Sequence, residues 1–177
     1  MNRLLTAIAA LIAAAAPAFA AGCDGMVEKQ LKFSSANKPD TFVVESFGDR
    51  CTDARLVIYV KTATNQWAPL IISQLNDYGS EPKKPAELQA ALKEVADRIE
   101  GPMLSRLESW TEIQSAATQP QGNPWRGTPL VQAEYERLLK AKPRYVYIPT
   151  DGVRAKLVVW DEHPYGGHPV DFVYYGD

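Results

Sequence analysis

The first strongly patterned stretch of the chain begins at Thr41, where Phe42, Val43 and Val44 lead to Phe47 before Gly48-Asp49-Arg50 turns the backbone. In Ala54–Lys61, Leu56, Ile58 and Val60 alternate with Arg55, Val57, Tyr59 and Lys61. This period of two predicts a strand with one better-buried face. The polar run 62–66 reads as a hairpin loop, and Trp67-Ala68-Pro69-Leu70-Ile71-Ile72 reads as the returning strand. Pro69 has no amide proton to give to a ladder, so this strand is expected at an edge or with Pro69 near its start.

The period then changes. Pro85 opens a segment in which Leu88, Leu92, Val95 and Ile99 recur at helical spacing, and Gly101-Pro102 closes it. A second helix is expected from Met103 to about Ala116, with Leu107, Trp110 and Ile113 or Gln114 inward. Residues 118–127, rich in Pro, Gln, Gly and Asn, read as a loop around Trp125. Thr128 as N-cap and Pro129 at the first helical position predict a third helix, with Val131, Tyr135 and Leu138 on its inner face. Strand patterns return at Arg144–Ile148, Val153–Trp160 and Val170–Tyr175, with turns at 150–152 and 164–167. In the second of these, Val153, Ala155, Leu157 and Val159 form the expected core face.

Strands, helices, then strands, without strict alternation, predict an α+β fold. The expectation is one largely antiparallel sheet, formed by the N- and C-terminal strands, with about three helices from the middle of the chain packed on one face. A single domain is expected over residues 21–177.

Residues 1–20 lack the polar pattern of the rest. Arg3 precedes a short apolar stretch, and Ala18-Phe19-Ala20 ends it with small residues, as in a cleavable signal peptide. The apolar stretch is short for a membrane span of about 20 residues, so no transmembrane segment is expected after cleavage. Periplasmic or secreted localisation follows. Ala20-Ala21-Gly22-Cys23 loosely resembles a lipobox, which leaves lipid anchoring at Cys23 as the alternative. Cys51 favours the other outcome, because two cysteines in an oxidising compartment are expected to form a Cys23–Cys51 disulfide.

Charge narrows the partners. The chain has 19 Lys and Arg against 21 Asp and Glu, with no long run of one sign, so nucleic acid is not suggested. Candidate chemistry is sparse. The two histidines, His163 and His168, flank a turn and lie near Asp161, Glu162 and Asp171. Imidazole and carboxylate together suit zinc or copper, so these five residues are the candidate metal set. Ser35-Ala36-Asn37-Lys38 has a Ser-x-x-Lys spacing, but the companion motifs of serine enzymes with that spacing are missing.

Aromatic residues crowd the C-terminal strands, and Tyr145 with Tyr147, and Phe172 with Tyr174, are expected to share faces. Trp125, Tyr165 and Trp160 form the candidate binding patch, since rings with a polar edge suit protein interfaces and sugars alike. The functional expectation is an exported, non-catalytic binding or protein-interaction module of the cell envelope, with an envelope protein or a glycan as ligand. The alternative is a small metal-binding protein or metal-dependent enzyme built on the His163/His168 hairpin.

Overall fold

The computed structural model describes residues 22–79, 82, 84–101, 108–118, 127–151, 154–162 and 166–176. Its strands form two antiparallel sheets rather than one. The first is a meander of β1 (Gly25–Leu31), β2 (Asp40–Phe47), β3 (Arg55–Lys61) and β4 (Trp67–Gln74), paired in that order. The second joins β5 (Tyr145–Pro149), β6 (Arg154–Asp161) and β7 (His168–Gly176). The helices are α1 (Pro85–Asp97), α2 (Trp110–Thr118) and α3 (Gln132–Ala141). The α+β class and the antiparallel pairing hold, but the single sheet and the common helical face do not.

The reason is that β6 is buried on both faces. Val158 and Trp160 join a core with Val44, Ile58 and Leu92 from the first sheet and α1, whereas Leu157 and Val159 join a second core with Ile113, Tyr135 and Leu138 from α2 and α3. A strand expected to show one core face therefore lies between two layers. The first sheet packs against one side of the second sheet, and α2 and α3 cover the other. Helix α1 packs on β1 and β2 and closes the first core.

One extra residue in each sheet adjusts its pattern. Ile58 pairs with Ile71 but Tyr59 with Pro69, so Leu70 is a bulge residue and Leu70 and Ile71 both reach the core. Pro69 sits beside that bulge on the edge strand, as a residue without an amide proton must. In the second sheet Val158 pairs with Asp171 and Leu157 with Val173, which leaves Phe172 as the extra residue. Phe172 is buried and stacked on Tyr135 at 4.3 Å, whereas Tyr174 is exposed. The bulge thus breaks the face that strict alternation would have Phe172 and Tyr174 share.

Helix ends follow local chemistry. The inner face of α1 is as expected, with Leu88, Leu92, Val95 and Ile99 buried. Lys29 donates to the carbonyls of Ala96 and Asp97, placing a cation at the negative end of that helix. Helix α2 begins later than its pattern suggested, because Ser109 and Glu112 form a reciprocal cap: Glu112 N donates to Ser109 Oγ and Ser109 N to Glu112 Oε2. Ile113 is buried and Gln114 exposed; Met103 to Leu107 lie outside the described residues. Helix α3 starts after Val131 rather than at Pro129, since Thr128 Oγ1 accepts from Leu130 N in a preceding turn. Val131 consequently stands in solvent, 64% exposed, while Tyr135 and Leu138 are buried.

Strand β1 has weak alternation and lies ahead of the first strand that the sequence pattern predicts. It is held at its start by the Cys23–Cys51 disulfide, whose Cα atoms lie 4.8 Å apart. Cys23 N donates to the Gly48 carbonyl and Ser46 Oγ donates to the Cys23 carbonyl. The free edges of the second sheet are each capped by one residue: Glu100 bridges to Tyr147 on β5, and Gly127 to Tyr174 on β7.

Candidate functional site

The residues singled out from the sequence divide between the two faces of the second sheet. Asp161 pairs directly across the ladder with His168, so these two share a face. Asp171 pairs with Val158, three residues from Asp161, and therefore belongs to the opposite face. Each carboxylate has a cation beside it. Arg137 grips Asp161 in a two-pronged pair, Nη1 to Oδ1 at 3.0 Å and Nη2 to Oδ2 at 2.7 Å. Lys156 Nζ lies 2.6 Å from Asp171 Oδ1, and Tyr174 OH donates to Asp171 Oδ2 at 2.9 Å. Glu162 is exposed, 4.0 Å from Arg144 Nη2. His163, Tyr165 and Trp125 lie outside the described residues. Among the described residues, no three His, Cys, Asp or Glu side chains are grouped to hold a metal ion. Trp160 is a core residue, packed edge-on against Phe33 at 5.6 Å.

Among the described residues, two of the clefts lie where loops of the two sheets meet. At one end, Ser35 and Lys38 from the β1–β2 loop, Thr64 and Gln66 from the β3–β4 hairpin, and Gly167 before β7 line a hollow of about 520 Å³ beside Trp160. Its walls are tied together by Asp40 at the start of β2. The buried Asp40 carboxylate accepts from Phe33 N, Ser34 N and Ser34 Oγ in one loop and from Ala63 N in the other.

The larger cleft, about 710 Å³, lies at the opposite ends of β4 and β6. It is built from the turn that follows β4, the turn between β5 and β6, and the last residues of β7. In the first turn, Asp77 Oδ2 accepts from Gln74 N, and Gly79 ends the turn in the left-handed region at φ 76°, which an L side chain disfavours. Tyr78 OH reaches across to donate to the Pro149 carbonyl, joining the two sheets. Burial pushes its pKa up to about 12. In the second turn, Asp151 Oδ1 accepts from Arg154 N at 2.6 Å and Asp151 Oδ2 pairs with Arg154 Nε at 2.5 Å, while Arg98 donates to the Asp151 carbonyl.

Asn76, Asp77, Thr150, Arg154, Tyr174 and Tyr175 thus face one open space from three separate segments. Tyr174 also has its pKa raised to about 12, first by burial and then by its hydrogen bond to Asp171, so its phenol stays protonated near neutral pH. The cleft combines amide, carboxylate, guanidinium and hydroxyl groups with Tyr174, and with Tyr175, whose side chain also packs on the core shared with α2 and α3. Such a surface suits a neutral or zwitterionic polyhydroxylated ligand, which offers hydrogen-bonding groups on its rim and C–H bonds on its faces.

Of these segments the sequence pattern marks only 150–152 as a turn, and its convergence with 76–79 and the end of β7 has no local signature. No protein-family model matches the chain, and neither a curated protein nor a solved structure matches it.

Proposed function

We propose that this chain is an exported binding module of the bacterial cell envelope and that its ligand is a glycan segment, taken into the cleft between the ends of β4 and β6. The observation that carries this reading is the cleft itself: Tyr174 set among side chains that both donate and accept hydrogen bonds, in a volume of about 710 Å³. Small-ligand sites commonly fall within roughly 300–1,000 Å³. Export is supported by the signal-like residues 1–20 and is compatible with the Cys23–Cys51 bridge. The sulfur of Cys23 cannot carry a lipid while it is bonded to Cys51, so the periplasmic form is the one proposed.

The test is a titration of the isotopically labelled protein with soluble N-acetylglucosamine oligomers, read by amide chemical shifts. Shifts at Asn76, Asp77, Thr150 and Tyr175 are expected, weakened in Asn76→Ala and Tyr174→Ala variants that retain the wild-type melting temperature. No shift at millimolar sugar, or shifts confined to amides away from the cleft, would overturn the reading.

A further inference from the structure

The outer face of the first sheet has an unusual composition for a surface. Of the six large hydrophobic side chains exposed among the described residues, four, Met26, Phe47, Trp67 and Ile72 at 49%, 46%, 57% and 71%, lie on this face. Exposed apolar groups gathered on one face mark an interaction surface more often than scattered ones do. Trp67 is also held in place: Tyr59 packs on it at 5.1 Å, and Lys61 Nζ lies 5.1 Å from its ring centroid. A side chain that is both exposed and already ordered loses little freedom when a partner covers it.

The charges on this face are segregated. Glu28 and Glu45 stand on β1 and β2, whereas Arg55 and Lys61 stand on β3. No base accompanies the acids on the outer positions of β1 and β2, and no acid accompanies the bases on those of β3 and β4. From this geometry we infer that the occupant is a second copy of this chain, stacked sheet on sheet. A two-fold axis lying between the faces and parallel to the strands brings β1 and β2 of one protomer over β3 and β4 of the other.

Rows defined by the ladder then superpose. The row Met26–Glu45–Val57–Ile72 lies over its own reversed copy, so Met26 meets Ile72. The row containing Phe47 and Arg55 places that ring over the guanidinium. In projection Glu45 comes one row, about 7 Å along the strand, from Arg55 of the other protomer, and Glu28 comes one row and one strand, about 8 Å, from Lys61, within reach of long side chains. Opposite signs meet on both sides of the axis, as a self-complementary interface requires. This is also the aligned packing that two sheets adopt in sandwiches.

The test is the oligomeric state of the chain recovered after export, by sedimentation equilibrium. The wild type is expected to be a dimer at micromolar concentration. Glu28→Lys with Glu45→Lys, and separately Arg55→Glu with Lys61→Glu, are each expected to weaken the dimer by more than roughly tenfold, because each variant face carries one sign throughout. Mixing the two variants is expected to restore a one-to-one dimer. Glu28 and Arg55 are exposed, whereas Glu45 and Lys61 are half-buried beside Tyr59 and Trp67, so circular dichroism is expected to match the wild type and each double variant is compared at temperatures below its own melting point. A monomeric wild type, charge-reversed variants that still dimerise, or a mixture that stays monomeric would each overturn the inference. Binding at the glycan cleft is measured separately and is unaffected by these outcomes.

Discussion

Gly167 lies against the edge of the Trp160 indole so closely that a Cβ on the glycine would stand 2.3 Å from Trp160 Nε1 and 2.6 Å from Cε2. The indole is 8% exposed and packed on Phe33, and that contact resists its displacement. Gly167→Ala is therefore expected to overpack this end of the molecule and cost about 1–3 kcal/mol. The check is the denaturation midpoint together with tryptophan fluorescence, and an unchanged midpoint would show that β7 can shift freely at its start.

Asp40 should matter more than any exposed acid. Its carboxylate accepts four donors from two loops while itself buried. Asp40→Ala strands the amides of Phe33, Ser34 and Ala63 together, at about 1–3 kcal/mol for each amide that water cannot reach. Asp40→Asn keeps the shape but turns one acceptor into a donor facing N–H groups, so it is expected to fall between wild type and alanine. Urea unfolding of the three proteins orders them. Asparagine equal to wild type would refute the acceptor role.

Alkaline pH should unfold the protein through its tyrosines. Tyr78 and Tyr174 both have pKa values raised to about 12 in the fold, with burial the leading cause in each. A group whose folded pKa is raised contributes its stability fully below its unfolded value, near 10, and loses it as pH climbs through the folded value. The stability contributed by these two phenols is therefore constant up to about pH 10 and declines between about pH 10 and 12. For Tyr78, the more buried of the two, the loss is about 2–3 kcal/mol. Tyr78→Phe gives up one hydrogen bond to Pro149 but should flatten that alkaline decline. Thermal melts from pH 8 to pH 12 test it, and parallel curves for the two proteins would sink the assignment.

Reduction should leave a folded but weaker molecule. The bridge joins residues 28 apart, and in the chain-entropy model it contributes about 3–4 kcal/mol by restricting the unfolded chain. A Cys23→Ala/Cys51→Ala variant is expected to melt about 7–14 °C lower. Differential scanning calorimetry decides the point. A shift of only a degree or two would mean that β1 is held mainly by its ladder with β2 and by α1.

What was legible in the sequence was local. The alternation in 54–61, the helical spacing of Leu88, Leu92, Val95 and Ile99, and the pairing of two cysteines each depend on neighbours a few residues away or on the simplest of counts. Strand β1 was missed because its inward positions include Gly25 and Lys29, which do not look apolar. Gly25 is there because leucines of α1 crowd it: a Cβ would stand 2.9 Å from Leu88 Cδ2. Lys29 is there because the end of α1 needs a donor. Neither reason can be seen until the helix is in place.

By itself, then, the sequence determined the α+β class, the identity of most strands and helices, and the disulfide, because backbone periodicity and side-chain chemistry act over short spans. Only the tertiary structure decided that the strands divide into two sheets, since that depends on β6 finding cores on both of its faces. It also decided the phase of the C-terminal tyrosines, which one bulge at Phe172 resets, and the assembly of Asp77, Asp151 and Tyr174 around one cleft. These are contacts between residues roughly 20 to 100 positions apart, and the pattern at each end carries no record of the other.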